Sequence, residues 1–390
     1  MKKLGKILII LISIIGVIVV LIYGGVFLAH KVIFPIKTSK IISVEAVTDG
    51  TFTFGLKEQS LPLKIDDYVE ILAKQLKNYN KVAKELWPDN QMVDEIVIVE
   101  EISSKKMWVI NPDGLYKPIT KKEFSQYGAK RLNYFNGFSF FPGGTYLAIS
   151  KEDLNNYLIY ENYLHLGTYD PFITYCHEGF HGKEQNKWRG PEVVNNSGRE
   201  DFFDNLPARA MRVQLQKQLF KAVGTDDKQL ILDALATYVD WKEKYPKEYE
   251  DSLYFDRIEG TAFYFELVSC LYAAYPEQIK DSEDVDKALS LLASREEIYL
   301  NYGLVAESYT VGGFACVLLD RYDNNWKETI IDNPEMTPME LLLQNFENEK
   351  LPMVIEVTAV EIKAVENAIN SPKANRGYPL FFRVLYEILY

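Results

Sequence analysis

The sequence predicts an α+β protein with an amino-terminal transmembrane helix, then a small mixed sheet with helices, and finally a mainly α-helical lobe. Three observations predict this order. A long uncharged segment lies near the start, strand-like stretches follow up to residue 150, and helical spacing of apolar residues dominates from residue 151 onward. We therefore divide the chain into residues 1–29, 30–150 and 151–390.

The apolar segment comprises residues 7–29, which are 23 consecutive positions without a charged side chain. A helix of that length, rising about 1.5 Å per residue, spans the hydrocarbon core of a bilayer, which is about 30 Å thick. The alternative is a cleaved signal peptide, whose apolar core is usually about 7–15 residues long. Because the segment is longer and has no clear small-residue cleavage site, we expect an uncleaved single-pass anchor in the cell membrane.

The orientation of this anchor is predicted from the charges beside it. Three lysines precede the apolar segment and three follow it closely. With the free amino group added, the amino-terminal flank carries more positive charge than the other. The more positive flank of a membrane helix usually stays in the cytoplasm. We therefore expect the lipid bilayer as one partner and the larger part of the chain outside the cytoplasm.

Composition excludes several functional classes. The formal net charge is −12, which repels phosphate backbones, and we find neither a GxxxxGK loop nor a GxGxxG turn after a strand. Nucleic acid and nucleotides are therefore not expected partners. Three cysteines, Cys176, Cys270 and Cys316, are too few for a disulfide framework, and we expect Cys176 to be a small buried helix residue rather than a nucleophile.

The pattern of apolar residues predicts individual elements. In residues 30–64, KIISVEAV and TFTFGL are predicted strands joined by a hairpin turn at Asp49-Gly50, and residues 66–86 have the spacing of an amphipathic helix. Further strands are predicted at 95–102, 106–114 and 143–150. Beyond these, Asp170-Pro171 is a helix-start signal before the next segment, and helices are predicted at 200–222, 226–243, 250–274, 283–300 and 355–370.

The strongest chemical signal is the sequence HEGFH, which contains His177, Glu178 and His181. On a helix, four-residue spacing places both imidazoles on one face, where they can bind one zinc ion at about 2.0–2.1 Å. Glu178 is rotated by about 100° from His177 and is placed to take a proton from zinc-bound water. The alternative is a chance pair, but the chain has only four histidines and two of them form this motif.

A catalytic zinc site usually has three protein ligands, and position 187 is lysine where an elongated motif would have histidine. Two glutamates compete for the third place. Glu200 follows His181 after 18 residues, in a polar stretch where it also suits a helix start, whereas Glu259 follows after 77 and is next to Gly260. We favour Glu259, because a carboxylate among small and apolar residues is hard to explain as a solvated charge. Glu266, seven residues further on, shares its face and is expected to support a histidine ligand.

With Gln185 after HEGFH, the segments RIEGTAFYFE and SYTVGGFACVLLDRY and then Trp326, the chain resembles the gluzincin superfamily of zinc metallopeptidases. The resemblance covers about residues 130–330 and is greatest to membrane-anchored bacterial branches with an EGxAxY helix. It implies a zincin-like catalytic lobe, Zn²⁺ as the cofactor and Glu259 as the third ligand. Phe263 departs from the pattern, because many gluzincins have a polar residue at that position.

The resemblance also implies a donor for the oxyanion of the reaction. Tyr309 precedes Gly312-Gly313, which we interpret as a flexible pair, and it matches a Tyr-x-x-Gly pattern. The alternative is that Tyr309 merely packs, since the chain has 26 tyrosines.

The function expected from these residues is zinc-dependent hydrolysis of a peptide or protein substrate, with Glu178 as general base. We also expect the strand GGTYLAIS to bind an extended peptide along its edge. Two alternatives stay open: a membrane-anchored binding or sensor protein with an inactive zinc site, and a zinc hydrolase that acts on another kind of bond.

Overall fold

The computed structural model of the chain has an α+β fold that is mostly helical, as the sequence predicts. The residues that it describes form eleven α-helices and one five-stranded mixed sheet, together with two small two-stranded sheets. No helix among these residues is long and apolar enough to cross a membrane. The predicted anchor at 7–29 lies outside the described residues, which are 40–43, 47–48, 52–54, 58–61, 64–132, 137–149, 170–188, 205–225, 227–294, 300, 304–333 and 335–370.

Four short strands precede the first helix. Strand β1 (Lys40–Ser43) pairs with β4 (Glu58–Leu61), and between them β2 (Val47–Thr48) pairs with β3 (Thr53–Phe54). Both pairs are antiparallel. The β2–β3 pair flanks the position of the predicted hairpin turn, although the turn residues themselves lie outside the described part of the chain.

The main sheet contains β5 (Ile96–Glu101), β6 (Lys106–Ile110), β7 (Tyr116–Ile119), β8 (Gly137–Phe141) and β9 (Gly144–Ile149). Its strand order is β7-β6-β5-β9-β8, and only the β5–β9 pair is parallel. Strand β9 therefore has neighbours on both sides, and β8 is the edge strand. The prediction that GGTYLAIS offers a free edge is wrong, because β8 covers that edge.

The three central strands of the main sheet, β6, β5 and β9, are buried on both faces, to which successive side chains alternately point. Val97 and Val99 of β5 point into the large core shared with the helices, whereas Ile98 points to a smaller core on the opposite face. The large core also contains Leu72 and Phe265 from helices before and after the sheet. The sheet and the helical part on either side of the predicted boundary at residue 150 therefore share one core.

Most of the other described residues are helical, and these helices agree with most of the predicted segments. The helix predicted at 66–86 is α1 (Ile65–Leu86), and its buried face follows the predicted spacing. Differences at other helix ends are a few residues, the largest being the helix predicted at 283–300, which ends at Ala293. The other helices are α2 (Lys121–Phe124), α3 (Asp170–Gly179), α4 (Leu206–Gly224), α5 (Lys228–Lys244), α6 (Pro246–Ala274), α7 (Ser282–Ala293), α8 (Leu304–Tyr322), α9 (Trp326–Asp332), α10 (Pro338–Asn345) and α11 (Ala359–Ile369).

Helix α8 corrects the interpretation of Gly312-Gly313 as a flexible pair, because both glycines lie inside this helix. A Cβ atom on Gly312 would lie 2.1 Å from the carbonyl oxygen of Asp256, and one on Gly260 would lie 2.4 Å from Cα of Gly312. The three glycines are therefore where α6 and α8 approach most closely. The absence of a side chain at Gly260 allows this approach.

This close approach leads to a stability prediction. Gly312→Ala should lower the free energy of unfolding by about 1–3 kcal/mol, because the new Cβ overlaps a backbone oxygen that cannot move alone. Gly224→Ala is the matched control, since a Cβ there would meet only Ser290 O at 3.8 Å. Urea unfolding of the full-length protein should separate the two variants, and equal stability would contradict the proposed contact.

A buried network of charges also joins α4, α6 and α8. Arg212 of α4 pairs with Asp256 of α6, with a nitrogen to oxygen distance of 2.6 Å. Arg209 pairs with Glu248 of α6 and Glu307 of α8, and all of these groups are buried. Removal of one partner from such a network leaves an uncompensated buried charge, so these contacts oppose sliding of the three helices.

Candidate metal centre

The HEGFH sequence lies where α3 changes its winding. Helix α3 begins at Asp170, as predicted, and its last residue is followed by a π-helical turn (Phe180–Glu184) and a 3-10 turn (Gln185–Lys187). π-helical turns inside helices are frequent at functional sites. The side chains of His177 and His181 still share one face, and their Nε2 atoms are 3.1 Å apart.

Apolar packing holds this helix against α6. Phe180, between the two histidines, is buried and stacks on Phe265 of α6 with ring centroids 4.7 Å apart. Behind it, a Cβ on Gly179 would lie 2.4 Å from the end of the Met92 side chain, so this face of the helix is also closely packed. The two imidazoles are therefore positioned by a helix that has little freedom to rotate.

Glu259 of α6 completes the cluster. Its Oε2 atom is 3.4 Å from Nε2 of His177 and 3.2 Å from Nε2 of His181. Among the described residues, these three form the group of histidine, cysteine and acidic side chains that is close enough to hold a metal ion. Of the two glutamates considered as the third ligand, Glu259 therefore lies at the site. Glu200 lies outside the described residues.

The spacing of the three atoms can be compared with that of a zinc site. Zinc binds imidazole nitrogen and carboxylate oxygen at about 2.0–2.2 Å, which in a tetrahedron separates neighbouring ligand atoms by about 3.3–3.6 Å. The observed separations of 3.1, 3.4 and 3.2 Å are close to these values. Two imidazoles and one carboxylate are also a usual ligand set for catalytic zinc.

Each histidine is held by a second side chain at its other ring nitrogen. Glu266 Oε2 lies 3.0 Å from His177 Nδ1, as expected from the shared face with Glu259. Gln185 Oε1 lies 2.5 Å from His181 Nδ1. Both oxygens accept a hydrogen bond from Nδ1–H, so both rings present Nε2 to the cluster, as in many metal sites.

The protonation of the cluster follows from its charges. Burial lowers the pKa of His177, but hydrogen bonds with Glu259 and Glu266 outweigh it and raise this pKa to about 10. Burial likewise opposes ionisation of Glu259, yet the two histidines bring its pKa well below the usual range. A metal ion bound at His177 Nε2 would have to compete with protonation of that ring.

Tyr309 lies beside the cluster on α8. Its ring stacks on that of His177, with centroids 5.1 Å apart and planes 4° from parallel. Burial, followed by the charges of Glu259 and Glu178, raises the pKa of Tyr309 far above its ordinary value. The phenol therefore stays protonated and remains a hydrogen-bond donor near neutral pH.

Glu178 directly follows His177 in the chain and is only partly buried. Its charge contributes to the raised pKa values of both Tyr309 and Glu266, after the larger effect of burial. The carboxylate is therefore near the cluster while keeping contact with solvent. This arrangement suits a group that exchanges protons with water.

The edge strand β8 lies against the turn that follows HEGFH. A Cβ on Gly182 would be 2.2 Å from the ring of Phe140, and the ammonium of Lys183 lies 5.3 Å from the centre of that ring. Lys183 also pairs with Glu95, the residue before β5. The strand that adjoins the turn after HEGFH is thus β8, which was not predicted from the sequence.

Cys176 does not contribute a nucleophile to the site. All three cysteines are buried and free, and burial raises the pKa of the Cys176 thiol well above its ordinary value. The prediction that Cys176 is a small buried helix residue is confirmed.

Comparison with models of protein families found no match, and neither curated proteins nor solved structures gave one. We therefore infer the function from the residues of the site.

Proposed function

We propose that the chain is a zinc-dependent peptidase of the gluzincin type, in which His177, His181 and Glu259 hold the metal. The observation that carries this proposal is the convergence of two Nε2 atoms and one carboxylate oxygen, with separations of 3.1–3.4 Å. The resemblance of HEGFH and RIEGTAFYFE to gluzincin motifs supports it. Each histidine also has its own acceptor at Nδ1, as metal-binding histidines usually do.

The proposed chemistry divides among the side chains. A bound zinc ion would lower the pKa of water and polarise the carbonyl group of the substrate. Glu178 accepts the proton of the attacking water and then delivers it to the leaving amine. Tyr309 donates a hydrogen bond to the oxyanion of the tetrahedral intermediate, a role for which its raised pKa keeps it protonated.

The substrate class follows from the neighbouring edge strand. An extended peptide can add to an unpaired strand edge through backbone hydrogen bonds. Strand β8 (Gly137–Phe141) is the edge of the main sheet and adjoins the turn at Gly182. We therefore assign the peptide-binding edge to β8 instead of β9.

Metal analysis and hydrolysis measurements on the full-length protein test the proposal. We expect one zinc ion per chain, and cleavage of a mixed peptide library that stops with a chelator and returns with added zinc. Absence of bound zinc would contradict the proposal. If the protein binds zinc but cleaves no peptide, the result would instead favour a binding or sensor protein with an inactive zinc site, or a zinc hydrolase that acts on another kind of bond.

The proposed location is the cell membrane, with the catalytic part outside the cytoplasm. This proposal depends on residues 7–29, which have 23 uncharged positions. Full-length protein should therefore remain in the membrane fraction of cells, and external protease should digest the part after residue 30. A shortened soluble form released from cells would show a cleaved signal peptide.

A further inference from the structure

Gln185 lies one turn after His181 and contacts two elements of the candidate centre. Its Oε1 atom is 2.5 Å from Nδ1 of His181. Its Nε2 atom is 2.8 Å from the carbonyl oxygen of Ile258 and 2.8 Å from Oγ1 of Thr261, both on α6. The side chain is buried, with 6% of its surface exposed. It therefore joins the helix that carries both histidines to the helix that carries Glu259.

The partners on α6 determine which way the amide of Gln185 points. The carbonyl oxygen of Ile258 only accepts hydrogen bonds, so the atom beside it must be the NH₂ group. The hydroxyl of Thr261 donates to the carbonyl oxygen of Arg257, at 2.7 Å, and is therefore also an acceptor for Gln185. The amide oxygen is left facing His181.

The orientation of the amide in turn determines the tautomer of His181. An amide oxygen can only accept, so the proton of the neutral ring must be on Nδ1. The lone pair of Nε2 then points to Glu259 and His177, with Glu259 Oε2 at 3.2 Å. With the opposite amide orientation, the ring would have to present a protonated Nε2, which cannot bind a metal.

We propose that Gln185 is a positioning residue that selects the metal-binding tautomer of His181 and makes it depend on the position of α6. This inference rests on the proposed zinc site. Both histidines thus depend on α6. Glu266 of α6 accepts a hydrogen bond from His177, and the amide of Gln185, which contacts His181, donates to the carbonyl oxygen of Ile258 on α6. Zinc binding is then sensitive to the packing of α6 on this helix through both histidines.

Two substitutions separate the contact with His181 from the contact with α6. Gln185→Met has a similar length and loses both contacts, whereas Gln185→Glu keeps an acceptor for His181 and loses the donor to Ile258. We expect Gln185→Met to weaken zinc binding by about 10- to 100-fold, as is typical for residues that support a metal ligand. Gln185→Glu should lose much less. The measurement is chelator competition on the full-length protein.

Asn186 provides a matched control for the added charge. It is exposed, and its amide donates to the carbonyl oxygen of Gly182 at 3.2 Å. Asn186→Asp should leave the zinc affinity unchanged. Zinc binding by Gln185→Met at the wild-type level would overturn the inference. Equal weakening in the Met and Glu variants would also overturn it, because only the contact with α6 would then matter.

A second measurement needs no variant at position 185 and no bound metal. The chain has four histidines, so a ¹⁵N-histidine solid-state NMR spectrum is simple, and the His181 signals can be assigned by their absence in His181→Asn. In the zinc-free wild type we expect a protonated Nδ1 and a bare Nε2 on His181. A protonated Nε2 with a bare Nδ1 would overturn the inference even if zinc binds, whereas a protein with the expected tautomer that fails to bind zinc would contradict only the proposed function.

Discussion

Glu178→Gln should retain one zinc ion per chain and lose peptide hydrolysis by at least about 100-fold, the lower end of typical general acid–base contributions. The amide has nearly the same shape but cannot take a proton from water. The proposed ligands, His177, His181 and Glu259, are unchanged in this variant. The measurement is the rate of cleavage of the best library peptide, compared at equal zinc content.

Glu178→Asp is the matched control for this experiment. It keeps a carboxylate but withdraws it by one methylene group, so activity should fall by less than in the Gln variant. Two results would refute the assigned role. One is comparable hydrolysis by wild type and Glu178→Gln, and the other is loss of zinc from Glu178→Gln, which would make Glu178 a ligand.

The local parts of the site could be predicted because helix geometry alone determines them. Four-residue spacing on a helix places His177 and His181 on one face, and the structure brings their Nε2 atoms to 3.1 Å. Likewise, the spacing of seven residues between Glu259 and Glu266 predicts a shared face, and both carboxylates contact His177. Such relations need no knowledge of how the helices pack.

The role of Gln185 could not be predicted, although its position four residues after His181 was visible. The amide is useful only because the carbonyl oxygen of Ile258 fixes its orientation, and Ile258 is 73 residues away in the chain. The same limit applies to the choice between Glu200 and Glu259. The packing of the helices determines which carboxylate lies near the histidines, and the spacing of residues along the chain does not reveal it.

Helix α8 was missed because it lacks the one-sided pattern that identifies a surface helix. Its described residues are buried on nearly all sides from Val311 to Leu319, so polar residues do not alternate with apolar ones at helical spacing. Gly312-Gly313 then suggested a break. In the structure these glycines are required by the neighbouring helix, because a Cβ on Gly312 would overlap Asp256 O at 2.1 Å.

Glu259→Ala should abolish stoichiometric zinc binding and turnover, because it removes one of three proposed ligands and leaves two histidines. The loss of affinity should exceed that of Gln185→Met, since Glu259 itself lies 3.2 Å from His181 Nε2 and 3.4 Å from His177 Nε2. The variant also leaves His177 with fewer acceptors, so its metal-free stability should be measured separately. Zinc content and chelator competition are the direct readouts.

Glu200→Ala is the control that distinguishes the two candidate third ligands. If Glu259 is the ligand, Glu200→Ala should retain zinc and activity. The reverse result, with zinc kept in Glu259→Ala and lost in Glu200→Ala, would assign the third ligand to the shorter spacing. Glu259 would then be a partly buried hydrogen-bond acceptor for His177. Its carboxylate would orient that side chain without binding the metal.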